Sequence, residues 1–340
     1  MGVTINDIAE KAEVSLATVS RVINNSGYVS KATRAKVMKV ITELNYTPSG
    51  IKSFKDEETN TVGVIVPNIS DPYFGEIVKC IGEIAERYDY NISIFNTNDE
   101  IYKEIKALAL LKQSKVKGII MIPAFGEGSF DNDYFKTLDS IGMPLVLVAA
   151  SIRYASFNGV FVDNVKGGFD AANLLIQEGH ERIAIITGNL GSEPSFDRLI
   201  GYKKALTMNN MAINEEYIFE GNYKPESGYN ITKEILNMED KPTALLVGSS
   251  MMTIGCIRAL NEKGLKTPED IAIIGFDKVD ILNYLGLNVS YVDVSAKSLS
   301  QEAIKILFEL MQNDDSGEVR TITISPKIEA KGSEKYINKS

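Results

Sequence analysis

Apolar residues recur at helical spacing in three short segments at the start of the chain. The segments cover residues 5–12, 15–24 and about 30–44, and a three-residue break separates the first two. Spacings of three and four residues place such side chains on one face of a helix. The predicted inner positions are Ile5, Ile8, Ala9 and Ala12; Val19, Val22 and Ile23; and Val37, Ile41 and Leu44. This order, two helices joined by a tight turn and followed by a third helix, is typical of a helix-turn-helix domain. The second helix of such a domain enters the major groove of DNA.

From Thr61 onward, short apolar runs alternate with amphipathic segments such as 74–88 and 101–114. This alternation predicts parallel sheets covered by helices on both faces. The pattern restarts after about residue 160, so we expect two such halves, with ligand-binding loops facing a cleft at the carboxyl ends of the strands. The predicted strands are 62–66, 92–95, 118–122, 145–148, 183–186, 244–247 and 271–274.

The composition narrows the function classes. The 340 residues are 44% apolar, enough for two or three domains. Neither a membrane-spanning run nor a secretion signal is visible, so we expect a cytoplasmic protein. Cys80 and Cys256 lack CxxC spacing and His180 is the one histidine, so we expect no disulfide framework, no metal site and no cofactor.

The charge is divided unevenly along the chain. Residues 1–55 carry eight Lys/Arg and four Asp/Glu, a net +4, which leaves 28 against 41, or −13, for the remainder. A basic head on an acidic body predicts that only the head meets a polyanion.

The motifs of common enzymes are absent from the sequence. It has no GxGxxG after the first predicted strand, no GxxxxGK[ST] and no GxSxG. We therefore expect a sensor with no catalytic residues. The first strand of the body is followed by Tyr73 and Phe74, whose rings could stack on a sugar or a base.

Several segments resemble the LacI/GalR family of bacterial transcriptional regulators. They are residues 4–25, 29–34 and 44–48 in the head and 67–74, 162–168, 179–184 and 273–277 in the body. The resemblance spans nearly the whole chain. It implies a small all-α helix-turn-helix head and an α/β periplasmic-binding-protein-like core of two doubly wound parallel-sheet subdomains.

The resemblance also implies a division of the chain. The helix-turn-helix domain would cover residues 1–47, a hinge or linker 48–61, and the effector-binding and dimerisation domain 62–340. Within that domain, one subdomain would comprise about 62–162 and 294–323, and the other about 163–293 and 324–335.

In the head, the resemblance implies a set of DNA-contacting residues. Leu16 and Ala17 would vary with the operator and make apolar contacts, while Arg21 would read guanine through its bidentate fork. Phosphates or bases would be held by Thr4, Ser15, Thr18, Ser20 and Asn24. The alternative for Arg21 is a solvated surface charge. At the turn, Glu13 stands where the family usually has Gly, which costs roughly 1 kcal/mol if the backbone is left-handed.

In the linker, the resemblance implies a hinge helix that forms on DNA and inserts an apolar wedge into the minor groove. Phe54 falls at the wedge position and Lys52 where a basic residue is common. The alternative is a flexible tether whose Phe packs on the neighbouring domain.

The resemblance further places seven residues at the cleft. They are Tyr73, Phe74, Asp163, Arg198, Tyr223, Ser249 and Asp277. Arginine and carboxylates beside an aromatic ring suit polyol recognition. In the alternative, Asp277 caps a turn, Arg198 makes a surface ion pair and the aromatics pack in the core. We expect His180 to be structural, because it lies near a helix end and has no catalytic partner. Ser249-Ser250 stands where relatives commonly show Asn-Asp, which suggests a smaller or differently placed ligand.

We therefore predict a sequence-specific DNA-binding regulator, a repressor, acting as a homodimer on a pseudo-palindromic operator, with a tetramer left open. A sugar or sugar phosphate in the cleft would control its affinity for DNA. The alternatives are gating by a protein corepressor, as in catabolite-control members of the family, or by a non-sugar ligand. A transport solute-binding protein and a sugar-modifying enzyme fit less well, because the first has no use for the basic head and the second lacks a catalytic apparatus.

Overall fold

The computed structural model describes residues 4–23, 29–44, 60–124, 132–152, 155–312 and 318–337. The chain forms two compact units, residues 1–59 and 60–340. None of the described helices is both long and apolar enough to cross a membrane.

The first unit contains the helices α1 (Ile5–Lys11), α2 (Leu16–Ile23) and α3 (Lys31–Glu43). Thr4 begins α1 with a capping box, since its hydroxyl accepts from the Asp7 amide and the Asp7 carboxylate accepts from the Thr4 amide. The helices pack around a core of Ile8, Ala9, Ala12, Val19, Val22, Val37 and Val40. The three predicted helices are confirmed; Val40 was not among the predicted inner positions.

The turn between α1 and α2 contains a residue in the left-handed region. Glu13 has φ 51, the conformation for which Gly would be preferred. Its carboxylate lies 2.7 Å from Lys36 Nζ on α3, and the pair is largely exposed. The ion pair connects the turn to α3, but solvent screens it, so it offsets little of the backbone cost.

The second unit contains two six-stranded sheets. The first has the order β11-β5-β4-β3-β1-β2 and is parallel throughout. Its strands are β1 (Thr61–Val66), β2 (Asn91–Asn96), β3 (Gly118–Met121), β4 (Leu145–Ala149), β5 (Asn158–Val162) and β11 (Thr321–Ile324).

The second sheet has the order β12-β10-β9-β8-β6-β7. Its strands are β6 (Ile183–Thr187), β7 (Ile218–Glu220), β8 (Ala244–Val247), β9 (Ala272–Phe276), β10 (Ser290–Asp293) and β12 (Lys327–Glu329). The predicted parallel sheets are confirmed, and the strands of the second sheet pair in parallel except at one edge, where β12 runs antiparallel to β10. This three-residue strand arrives from β11 of the other sheet through residues 325–326, without a crossover helix.

Helices cover both faces of each sheet, as the alternation predicted. We call the first sheet with α4, α5, α6 and α12 lobe 1, and the second sheet with α7–α11 lobe 2. The helices are α4 (Pro72–Arg87), α5 (Ile101–Gln113), α6 (Asn132–Asp139), α7 (Asn164–Gln177), α8 (Glu193–Met208), α9 (Pro225–Ile235), α10 (Ser250–Glu262), α11 (Asp280–Tyr284) and α12 (Ala296–Gln312). The chain crosses between the lobes after β5, after β10 and after β11.

Candidate functional site

A cavity of about 370 Å³ lies between the two lobes, lined from both sides by loops at the carboxyl ends of strands. This is where open parallel sheets bind ligands, and the volume lies near the lower end of the usual range for ligand pockets. Six of the seven predicted cleft residues line it: Tyr73, Phe74, Arg198, Tyr223, Ser249 and Asp277.

Arg198 reaches the cavity from α8 with its side chain almost fully buried, 7% exposed. Its Nε donates to Asn164 Oδ1 at 2.8 Å and its Nη1 to the Gly248 carbonyl at 2.6 Å. The guanidinium also lies over the ring of Phe276, 4.0 Å from the centroid. Within the described residues no carboxylate forms an ion pair with it, so a surface ion pair does not explain this side chain.

Asp277 follows β9 with a left-handed backbone, φ 69, and is 7% exposed. Its Oδ1 has no hydrogen-bond partner in the described part of the chain, so the side chain does not cap a turn. Burial raises the pKa of Asp277 to about 7, and Arg198 opposes this rise. A buried acceptor without a partner costs free energy unless a ligand supplies a donor.

One pair of aromatic rings lies at the wall of the cavity. Tyr73 and Phe74 follow Asp71, whose carboxylate accepts from the Tyr73 amide at 3.0 Å and so begins α4. Their ring centroids are 5.3 Å apart, and both rings pack partly against the core as well as lining the cavity. Apolar faces are therefore offered beside polar groups.

Tyr223 is fixed by lobe 2. Its hydroxyl lies 2.6 Å from Ser192 Oγ and 2.5 Å from Ser195 Oγ. Its ring lies against Gly188, where a Cβ would come within 2.2 Å of the ring. Gly188 is thus required for the position of Tyr223, which itself has φ 62.

Two further predicted residues, Ser249 and Asp163, cap helices with their side chains. Ser249 Oγ accepts from the Met252 amide at 3.2 Å and begins α10, at the wall of the cavity. Asp163 Oδ1 accepts from the Lys166 amide at 2.9 Å and begins α7. Asp163 does not line the cavity; it lies in a neighbouring hollow with Glu193 and Asp197.

Sequence reasoning missed several residues of the cavity wall: Asp71, Asn98, Asp99, Glu100, Asn222 and Lys224. Asn98, Asp99 and Glu100 follow β2, a strand that the sequence did predict, so the rule of carboxyl ends could have identified them. His180 lies elsewhere, with Nδ1 2.9 Å from Thr243 Oγ1 and Nε2 3.0 Å from the Glu334 carbonyl. The described residues contain no cluster suited to a metal ion.

The head presents the predicted face of α2. Leu16 is 49% exposed, and Ala17 and Arg21 are also exposed, while Val19 and Val22 are buried on the opposite side. Ser15 begins α2, since its Oγ accepts from the Thr18 amide at 3.1 Å and lies 2.9 Å from Thr18 Oγ1. Thr4 is exposed in its capping box, and Ser20 is partly buried. Asn24, Lys52 and Phe54 lie outside the described residues.

Known proteins resemble the chain over its whole length. Residues 4–49 match the model for bacterial regulatory proteins of the lacI family, and residues 172–333 that for a periplasmic binding protein-like domain. Catabolite control protein A of Priestia megaterium is 33% identical, covering 98% of this chain and 100% of the relative. The ribose operon repressor of Haemophilus influenzae is 32% identical, covering 95% and 96%.

Two solved structures share the architecture of head and core. A complex of the transcriptional regulator CelR with cellobiose matches with a TM-score of 0.72 and 25% identity, covering 97% of this chain and 99% of that one. The lac repressor dimer bound to operator and the anti-inducer ONPF matches with a TM-score of 0.71 and 25% identity, covering 99% and 100%. The chain belongs to the LacI/GalR family of bacterial transcriptional regulators.

Proposed function

We propose that this regulator is a repressor whose affinity for its operator is set by a small sugar-like metabolite bound between the two lobes. The observation that carries the proposal is that Arg198 and Asp277 line the same cavity. Arg198 is a buried cation that forms no ion pair within hydrogen-bonding distance among the described residues, and Asp277 Oδ1 is a buried acceptor without a donor there. A polyol has hydroxyl groups that can accept a hydrogen bond from Arg198 and donate one to Asp277.

The charges of the cavity favour an uncharged sugar over a sugar phosphate. Two cations line it, Arg198 and Lys224, against the carboxylates of Asp71, Asp99, Glu100 and Asp277. Arg198 already donates from Nε and Nη1 to lobe 2. A dianionic phosphate would face carboxylates in a low-dielectric site, which is unfavourable.

The head would bind DNA and recognise the operator sequence. Leu16 and Ala17 would make apolar base contacts and Arg21 a bidentate contact to guanine, while Thr4, Ser15, Thr18, Ser20 and Asn24 would position the backbone. Lys52 and Phe54 would act in the minor groove, Phe54 as the wedge. Such a regulator acts in the cytoplasm, where the chromosome lies.

Two copies of the chain would bind one pseudo-palindromic operator. An apolar patch around α11 supports a homodimer, since Tyr284 is 82%, Leu285 68% and Ile281 52% exposed in the single chain. The related lac repressor is a dimer on its operator. A tetramer is the alternative assembly.

The effector would act by changing the angle between the lobes. We take residues 62–162 with 294–323 and residues 163–293 with 324–335 as the two moving parts. A ligand that binds one angle better shifts the population toward it, and a coupling of about 1–3 kcal/mol is typical.

Gating by a protein partner is the second candidate. The 33% identity to catabolite control protein A over 98% of the chain favours it. A thermal-shift screen of metabolites on the full chain tests the first candidate, because a ligand specific to the native form raises its melting temperature. Operator binding is then measured with and without the hit. A hit that leaves operator affinity unchanged contradicts the coupling, and a phosphocarrier protein that raises it favours the second candidate.

A further inference from the structure

One buried hydrogen bond joins the two lobes beside the cavity. Ser250 Oγ donates to Asp71 Oδ1 at 2.8 Å, across 179 positions of sequence. Asp71 is 7% exposed and Ser250 is fully buried. Neither residue was among those that the family resemblance placed at the cleft.

Both partners stand at the start of a long helix. Asp71 is the N-cap of α4 in lobe 1, and Ser250 is the first residue of α10 in lobe 2. The carboxylate therefore accepts from the Tyr73 amide of its own helix and from the hydroxyl of the facing helix. Partial positive charge at both helix ends favours an anion between them.

The Ser250 hydroxyl is the second hydrogen-bond donor to the Asp71 carboxylate, which is buried. Burial raises the pKa of Asp71, and the hydrogen bonds from Ser250 and from the Tyr73 amide lower it. Among the described residues no cation forms an ion pair with Asp71, and the two hydrogen bonds alone oppose the effect of burial. An acceptor withdrawn from water with one donor missing is costly, so the Ser250 hydroxyl offsets part of the cost of burying the Asp71 carboxylate between the lobes.

We propose that the Asp71–Ser250 hydrogen bond is a latch that holds the two lobes closed around the cavity and so sets the resting angle that an effector must stabilise or overcome. A second hydrogen bond between the lobes, from Ser151 to Glu193, is exposed, so water competes for it. The Asp71–Ser250 hydrogen bond differs from it in being buried. The inference rests on the proposed function only in taking the lobe angle as the regulated quantity.

The test compares Ser250→Ala with Ser300→Ala in the full chain without ligand or DNA. Ser300 is also fully buried, but its hydroxyl donates to the carbonyls of Ile77 and Ala296 within lobe 1. Ser300→Ala therefore removes a buried serine hydroxyl without touching the contact between lobes.

Spin labels on cysteines at the exposed positions Lys106 in α5 and Glu226 in α9 report the lobe separation by double electron–electron resonance. The native Cys80 and Cys256 are buried and are replaced by Ala in every variant. We expect Ser250→Ala to raise the ratio of long to short distances about tenfold, the effect of about 1.4 kcal/mol. Ser300→Ala should match the parent.

A Ser250→Ala distance distribution that superimposes on that of the parent overturns the latch. An increase of equal size in Ser300→Ala also overturns it, because the effect would then come from loosened packing. Since no ligand is used, failure of the latch is distinct from failure of the sugar proposal, which the metabolite screen decides.

Discussion

The guanidinium of Arg198 lies 4.0 Å from the ring centroid of Phe276, so the cation is held on an aromatic face from the same lobe. With Nε and Nη1 donating to Asn164 and Gly248, the planar group has one orientation. Nη2 makes no hydrogen bond to the described residues and is available to a ligand. A ligand in the cavity would therefore meet a preorganised donor.

Arg198→Lys should weaken effector binding roughly 10- to 100-fold, since a hydrogen bond to a charged group contributes about 1.5–3 kcal/mol and lysine lacks the fork. Isothermal titration calorimetry with the effector found by screening measures it. Arg182→Lys is the matched control, because Arg182 Nε donates to the Lys241 carbonyl away from the cavity. Equal effector affinities of the parent and Arg198→Lys would show that Arg198 does not bind the effector.

Asp277→Asn should flatten the dependence of stability on pH. The folded pKa of about 7 exceeds the unfolded 3.8, so the folded state holds the proton more tightly, and the free energy of unfolding falls as pH rises from about 4 to 7. The amide removes this penalty, and Asn tolerates the left-handed φ of 69. We expect the variant to be more stable than the parent at pH 8, by as much as a few kcal/mol on the scale of 1.36 kcal/mol per pKa unit, and near parity at pH 4.

Urea unfolding at both pH values measures the difference. Effector affinity should fall at the same time, because the ionised acceptor is lost. A variant less stable than the parent at pH 8 would show that Asp277 is satisfied in the unliganded protein.

Glu104→Gln is the comparison at a buried carboxyl that does not line the cavity. Glu104 is fully buried in α5, with Oε1 2.5 Å from the Tyr134 hydroxyl and Oε2 2.7 Å from the Ala124 amide. Burial raises its pKa from 4.5 to about 7, so this carboxyl also destabilises the protein as pH rises through that range. The free energy of unfolding of the variant, measured with urea, should depend less steeply on pH than that of the parent. Its affinity for the effector should equal that of the parent. A lowered effector affinity would contradict that separation.

Glu13→Gly should stabilise the head. Gly adopts the φ of 51 without the steric cost of a side chain, roughly 1 kcal/mol, while the exposed ion pair to Lys36 contributes little. Amide hydrogen exchange in α1 and α2 of the full chain should slow by about fivefold, the equivalent of 1 kcal/mol. Lys36→Met tests the ion pair alone and should change exchange little. Faster exchange in Glu13→Gly would show that the carboxylate contributes more than the backbone costs.

The sequence predicted the elements that depend on the periodicity of apolar residues. The three helices of the head follow from apolar stripes that include Ile8 and Val19. The strands at 62–66 and 183–186 are continuous apolar runs, so the sequence alone identifies them as buried strands. β7 and β12 have three residues each and exposed or partly exposed positions, so no run marks them.

The cleft was harder to predict because its walls come from distant segments. Arg198 and Asp277 were found through the resemblance, but nothing local shows that Asp71 meets Ser250. Asp163 was also placed at the cleft through the resemblance; the structure shows it capping α7 and lining a neighbouring hollow. A capping aspartate and a ligand-binding aspartate look alike in sequence.

The central claim is that the head reads DNA while the core senses a metabolite, and one titration tests it most directly. Full-length protein and Arg21→Ala are titrated against operator-containing fragments from the protein's own chromosome, with and without the effector. We expect sequence-specific binding that the effector shifts at least fivefold, the lower end of typical allosteric coupling. Arg21→Ala should lose roughly 1–3 kcal/mol of binding free energy and show relaxed specificity. Binding that is equal for all fragments, or that neither Arg21→Ala nor the effector changes, would contradict the central claim.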